Sequence, residues 1–212
     1  MLINRHKMTI VYVDSGIKDK LKKSNFSSGH LDNCINSKFL SIEQINSKIV
    51  GACFVGGIMN FNGIEIQKEF RGKGIGKKLL SEILAECKKE NVSFLSGVLK
   101  PSNIISIKAH IKIGYKPVFT CHYNKKEGKE IVVILPFNKK GLFMKNFMRI
   151  FNTRIGNTTF ALLVYLMKPF LKNLITFSSD TMPEIDLSYS LSNFEKVQDT
   201  LKEIDSKINE TI

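Results

Sequence analysis

The chain has 212 residues, enough for one good core with room for a smaller second unit. Hydrophobic residues make up 43% and charged residues 24%, which excludes a disordered or collagen-like chain. Lys plus Arg number 32 against 19 Asp plus Glu, and a formal charge of +13 points to a polyanion: nucleic acid, a phosphorylated ligand or an anionic membrane surface.

Residues 1–13 lack the long apolar region of a signal peptide, and no run of 18 uncharged apolar residues occurs anywhere. Cys34, Cys53, Cys87 and Cys121 are far apart with no C-x-x-C pair, so a reducing cytosol is expected rather than a disulfide framework or a zinc site. Residues 9–13 (T-I-V-Y-V) form a β-branched run and 39–44 alternate like a strand. The polar tetrad Ile45-Asn46-Ser47-Lys48 then leads into 49–55, predicting a β-hairpin that Gly56-Gly57 breaks. Residues 61–67 make another strand. From 77 to 89 the period changes: Leu79, Leu80, Ile83, Leu84 and Cys87 share one helical face, with Asn91 as the stop. A strand over 92–99 and a helix over 102–113 follow, and Gly114 ends that helix. Strands over 115–123 and 130–135 flank a polar turn, and Pro136 closes the run.

Beyond Pro136 the composition shifts. Residues 131–179 contain no acid but seven basic residues, among dense apolar residues at 142–151 and 160–167 that read as helices bounded by Gly156 and Pro169. The sign reverses after Asp180. Phe194, Val197, Leu201, Ile204 and Ile208 make a short heptad seam, with Ser192 and Glu195 in a capping-box pattern. This seam is expected to dock on its own chain or on a sister subunit.

The sharpest local signal is Arg71-Gly72-Lys73-Gly74-Ile75-Gly76-Lys77-Lys78, between a strand and a helix start. Glycines let the backbone turn tightly and approach a ligand, while open amides and the dipole of the helix start suit a phosphate. A Walker A loop is excluded, because Arg71 stands where its first Gly belongs and Lys78 replaces the magnesium-binding hydroxyl. A dinucleotide G-x-G-x-x-G lacks its third Gly. A helix-hairpin-helix element requires a helix upstream, where I-E-I-Q reads as strand. A plain Gly-rich turn remains open on the loop alone.

Arg71-x-x-Gly74-x-Gly76 after a strand resembles the Q/R-x-x-G-x-G/A loop of the GNAT family of N-acetyltransferases. Lys48-Ile49-Val50-Gly51 resembles the start of that family's third strand. The string from Asn103-x-x-Ser106 to Lys112-Ile113-Gly114-Tyr115 resembles its second motif. The resemblance runs from about residue 9 to 136 and implies an α+β fold: a mixed, mostly antiparallel central sheet with flanking helices. Residues 1–136 are then the acetyltransferase domain, and 137–212 a C-terminal helical extension, basic then acidic. It further implies that Gly72, Lys73, Gly74, Ile75, Gly76 and Lys77, with Arg71, hold the pyrophosphate of acetyl-CoA. Ile66, Gln67 and Lys68 would bond the pantetheine arm and Asn103 would bond CoA from its helix. An amine acceptor, small molecule or peptide, would attack the thioester directly, with no metal and no enzyme nucleophile.

This sequence departs from the family at the catalytic positions. The thiolate acid is usually a Tyr four residues before the motif's Gly, where His110 stands. Asn60 and Asn62 fall where some members carry a base, and Glu65 is the nearest carboxylate. His110 as acid and Glu65 as base are therefore the catalytic candidates, each against a plain packing or surface role. A catalytically weak module that binds acyl-CoA or another polyanion is the second reading. The spacing of His30 and Cys34 suits a metal pair but finds no further ligands nearby, and Cys121-His122 reads as strand packing. Nucleic acid is disfavoured once a small-molecule phosphate accounts for the five basic groups from Lys68 to Lys78. Residues 142–172 are either an amphipathic surface for peripheral contact with an anionic membrane, or a subdomain covering the sheet or forming a homodimer interface.

Overall fold

The computed structural model describes residues 6–57, 59–126, 128–174 and 185–209. They divide into two compact units, one carried by the chain up to Val92 and the other by Ser93–Leu171 with the C-terminal helices. The fold is α+β with seven strands, and the pairings within each unit are antiparallel.

The first unit orders β1 (His6–Tyr12), β2 (Phe39–Ile45), β3 (Lys48–Gly56) and β4 (Phe61–Ile66) as consecutive neighbours. The β2–β3 hairpin turns on Asn46 and Ser47, both at positive φ (50° and 66°), the geometry whose twist matches paired strands. β3 is buried from Ile49 to Gly56 on both faces, which is why its sequence is an unbroken apolar run rather than an alternating one. On one face, Ala52 and Phe54 join Leu21, Phe26, Cys34 and Leu40 in a core covered by α1 (Ser15–Lys22) and α2 (Ser28–Ile35). On the other face, α3 (Ile75–Lys89) lays Leu79, Leu80, Ile83 and Cys87 on β2, β3 and β4. Asn91, at φ 52°, ends α3, and the Val92 amide closes back on the Cys87 carbonyl.

α1 and α2 are absent from the hydrophobic periodicity. Each has eight residues, one glycine and a single buried side chain, too short a pattern to stand out. Asp14 caps α1, its carboxylate accepting from the Ile17 amide at 2.8 Å.

The second unit orders β5 (Phe94–Leu99), β7 (Lys129–Pro136) and β6 (Lys116–His122). Helix α4 (Ile104–Ile113) ends on Gly114 at φ 111°, and Tyr115 behind it is fully buried. The remaining elements are helical: α5 (Lys139–Met148), a 3₁₀ turn (Arg149–Asn152), α6 (Arg154–Leu174), α7 (Leu187–Ser192) and α8 (Val197–Asn209).

Three expectations are corrected here. Gly156 and Pro169 do not bound helices, since α6 runs through both. A Cβ at Gly156 would lie 2.1 Å from the Ile150 carbonyl oxygen, so glycine is there for close approach, and Pro169 withdraws only one donor from a 21-residue helix. The apolar run of 142–151 is likewise split, helix to Met148 and 3₁₀ turn beyond. Ser192 and Glu195 form no capping box. Ser192 ends α7, its hydroxyl donating to the Ser188 carbonyl, while Glu195 accepts from Lys129 and Thr200. The seam survives within α8, where Val197 and Ile204 are buried and the helix packs on β6 of its own unit; Phe194 precedes the helix.

Candidate acyl-CoA loop and catalytic side chains

In the first unit β4 runs straight into the loop. Ile66 pairs with Gly51 of β3, and its side chain lies in the α3 layer, where a Cβ on Gly51 or Gly76 would reach to within 3.6 and 3.0 Å of it. Gln67 is pinned to β3 twice, its amide donating to the Val50 carbonyl and its side chain to the Ile49 carbonyl, both at 2.9 Å. Lys68 opens a 3₁₀ turn (Lys68–Phe70), and Arg71 folds back so that its Nε donates to the Ile66 carbonyl at 2.9 Å. Lys73 then sits over the Phe70 ring at 5.1 Å.

Gly72 and Gly74 both take left-handed φ, 76° and 77°, and a Cβ at either would meet nothing within 4 Å. Gly74 is the N-cap of α3 and offers no side-chain acceptor. Among the described residues, no protein group accepts from the Ile75, Gly76 and Lys77 amides that begin the helix. Exposed Arg71, Lys73, Lys77 and Lys78 surround that end. The loop is thus an open concavity of backbone donors and cations, with the chemistry and the room for a diphosphate.

In the second unit Asn103 caps α4, its side-chain oxygen accepting from the Ser106 amide at 3.1 Å. Its amide N–H₂ has no partner among the described residues and remains a donor. His110 is buried at 8% exposure, its Nδ1 lies 2.7 Å from the Ser106 carbonyl oxygen, and its ring meets Tyr115 edge-on at 4.9 Å. Burial lowers its pKa below the ordinary imidazole range, outweighing that bond. The Nδ1–H donates to the carbonyl, so the neutral ring presents Nε2 as an acceptor.

The model of the Acetyltransferase (GNAT) family matches residues 26–115. Residues 26–115 are a GNAT acetyltransferase domain. Comparison of the sequence with curated proteins found no match. Among solved structures, Ard1 from Thermoplasma volcanium is 13% identical with a TM-score of 0.51, covering 62% of this chain and 99% of that one. The ribosomal-protein-S18-alanine N-acetyltransferase from Escherichia coli is 16% identical with a TM-score of 0.50, over 61% of this chain and 94% of that one. A GNAT family acetyltransferase from Elizabethkingia anophelis with acetyl-CoA bound is 17% identical with a TM-score of 0.50, over 61% and 98%.

Within the GNAT domain Glu65 has a partner that its spacing did not reveal. Its two carboxylate oxygens accept from the Ser27 amide at 3.0 Å and the Ser27 hydroxyl at 2.6 Å, so β4 caps α2 from outside. Asn62 is buried and donates to Cys53 Sγ and the Phe54 carbonyl, while Asn60 accepts from Lys38. The structure brings Glu65, Ile66, Gln67, Lys68 and the Arg71–Lys77 loop together in one unit; Asn103 and His110 belong to the other. All four cysteines are buried free thiols. Burial pushes Cys53, Cys87 and Cys121 up to about 12 and raises Cys34 as well, so none supplies a thiolate near neutral pH.

His30, whose spacing from Cys34 suited a metal pair, has surroundings that the spacing does not show. His30 on α2 sits between Phe26 and Phe54, with ring centroids at 5.3 and 5.4 Å, and its buried Nε2 has no hydrogen-bond partner among the described residues. Burial lowers its pKa to about 4, against the opposing pull of Glu65 and a bond to the Ala52 backbone. Only the fold of α2 onto β3 creates that environment.

Proposed function

We propose that this chain is an N-acetyltransferase that moves the acetyl group of acetyl-CoA to a primary amine by direct attack. The observation that carries the reading is the left-handed, uncapped Gly74 start of α3 inside a GNAT domain, ringed by lysines and Arg71. The amides from Gly72 to Lys77 and the cations around them hold the pyrophosphate, and Ile66, Gln67 and Lys68 run beside the pantetheine arm. The free amide of Asn103 donates to CoA. The fold neighbours support the chemistry by class: one holds acetyl-CoA and another is an alanine N-acetyltransferase. We assign residues 1–136 to the acetyltransferase domain and 137–212 to its helical extension, in the cytosol.

In this reaction the amine nitrogen attacks the thioester carbonyl, the C–S bond breaks, and the proton lost by the amine balances the one gained by the CoA thiolate. Backbone donors stabilise the oxyanion. The residues nearest the expected acid and base are poorly poised for those tasks. Glu65 has both oxygens occupied by Ser27, and neutral His110 carries its proton on Nδ1, toward Ser106. That favours proton transfer through water with an amine already partly neutral. It also gives weight to the second reading, a module that binds acyl-CoA without efficient turnover.

Calorimetric titration with acetyl-CoA and thiol release across aminosugars, polyamines and peptide N-termini separate the two. Binding with thiol release for one amine class supports the enzyme; binding with none supports the module. Gly74→Glu puts a carboxylate where the phosphates sit and forces a side chain into left-handed φ, so acetyl-CoA affinity should fall at least about tenfold. Unchanged affinity would show that the ligand lies elsewhere.

A further inference from the structure

Helices α5 and α6 are apolar on the side facing away from their own core. On α6 the inward positions are Asn157 and Ala161, both buried. The opposite stripe holds Ile155, 82% exposed, then Leu162 and Leu166, the latter 59% exposed, at i, i+7 and i+11. On α5, Phe143 is 70% exposed and stacks on half-exposed Phe147, centroids 6.5 Å apart at 15°. Behind this patch the rings run inward from Phe147 to buried Phe151 and then to Phe160, at 6.0 and 5.1 Å, and these two rest on core Phe119. Large apolar side chains exposed in this number on two successive helices mark a contact surface.

The charges on this segment say what makes that contact. Lys139, Lys140, Arg149 and Arg154 are exposed, none forms an ion pair among the described residues, and 131–179 contains no Asp or Glu. A second copy of the chain, meeting this face by two-fold symmetry, would bring cations against cations. A polynucleotide would pair the cations but leave Ile155, Leu162 and Leu166 against phosphates. An anionic bilayer surface satisfies both components, with apolar side chains at the acyl boundary and Lys and Arg at the headgroups. Among the described residues, no helix is long and apolar enough to cross a membrane.

We propose that the outward face of α5 and α6 docks peripherally on an anionic lipid surface. This goes beyond the acetyltransferase reading and does not depend on it. The full chain is floated with vesicles of about 30% phosphatidylglycerol in phosphatidylcholine, and with phosphatidylcholine alone, at about 50 and about 500 mM salt. Binding to the anionic vesicles should be at least about tenfold tighter at low salt and collapse at high salt. Lys139→Gln with Lys140→Gln should weaken it about 25-fold, roughly fivefold per charge. Phe143→Ser with Ile155→Ser should abolish it while leaving the thermal unfolding midpoint in place, because both side chains are exposed. The proposal is overturned by absence of binding at low salt, or by equal binding to neutral vesicles that ignores the Lys substitutions. A dimer in light scattering that the Ser variant dissolves, with no lipid affinity, would overturn it in favour of a protein interface.

Discussion

Burial in α2 holds His30 neutral, with a pKa near 4 because its ring lies among Phe26, Phe54 and the β3 backbone, away from water. An unfolded His titrates near 6.5, so between about pH 6.5 and 4 the unfolded chain binds a proton that the folded chain refuses. Stability therefore rises with pH through this window and is lost as pH falls. At pH 5 the cost is about 2 kcal/mol, from roughly 1.5 titration units at 1.36 kcal/mol each. His30→Phe keeps a ring but removes the titration. It should lose about 2 kcal/mol less than the parent on going from pH 7.5 to 5 in urea unfolding. Equal acid sensitivity would mean that His30 is protonated in the fold, with Glu65 as its counter-charge, and is not shielded by the rings around it. His110 is lowered for the same reason, which is why a position that resembles a proton donor holds an imidazole whose neutral form is favoured.

At the scale of elements, the extension ties down a strand edge. β6 ends the β5-β7-β6 order, and side chains of α6 and α7 reach its carbonyls: Asn157 Nδ2 donates to Thr120 and the Ser190 hydroxyl to His122, while the backbone amide of Asp186, the N-cap of α7, donates to Tyr123 just beyond the strand. Such contacts blunt an edge that would otherwise invite pairing with another chain. Asn157 also donates to the Phe151 carbonyl and is only 3% exposed, so Asn157→Leu strands buried acceptors. We expect a loss of about 1–3 kcal/mol in urea unfolding, against near-neutrality if water can replace the amide. These elements differ in how far the sequence reveals them. The hairpin at Asn46-Ser47, α3 with its stop at Asn91 and the Gly114 end of α4 follow from local spacing and backbone preference, which need no partner. The loop from Arg71 to Gly76 is legible for the same reason. The capping of α2 by Glu65, the packing of His30 on Phe54 and the grip of Asn157 on β6 join residues 38, 24 and 37 positions apart, and no local pattern encodes them. Gly156 misleads because a glycine that ends a helix and one that admits a carbonyl look the same in sequence.

Over the whole molecule, the C-terminal charge reversal has a structural counterpart in β7 rather than in the basic stretch beside it. Lys129 pairs with Glu195 at 2.7 Å and Glu203 at 2.8 Å, so acidic α8 is anchored to the sheet of its own unit, while Lys139, Lys140, Arg149 and Arg154 stay unpaired among the described residues. Thr120 completes the join, its hydroxyl donating to the Glu195 carbonyl. Residues 137–212 thus close the edge of β6 as well as presenting a cationic, apolar face. That makes the boundary at Pro136 testable. A chain cut after Pro136 loses the three donors to β6 and to Tyr123 just beyond it, and the cover that Phe151 and Phe160 provide over Phe119. Three bonds at about 1 kcal/mol each, with roughly 3 °C per kcal/mol, give a fall of about 10 °C in the unfolding midpoint before lost apolar burial is counted. The exposed edge should also drive self-association, read as a concentration-dependent shift in size-exclusion chromatography. If residues 1–136 instead stay monomeric with the parent's midpoint, the extension is an appendage, and the edge contacts of Asn157 and Ser190 contribute nothing to holding the acetyltransferase fold together.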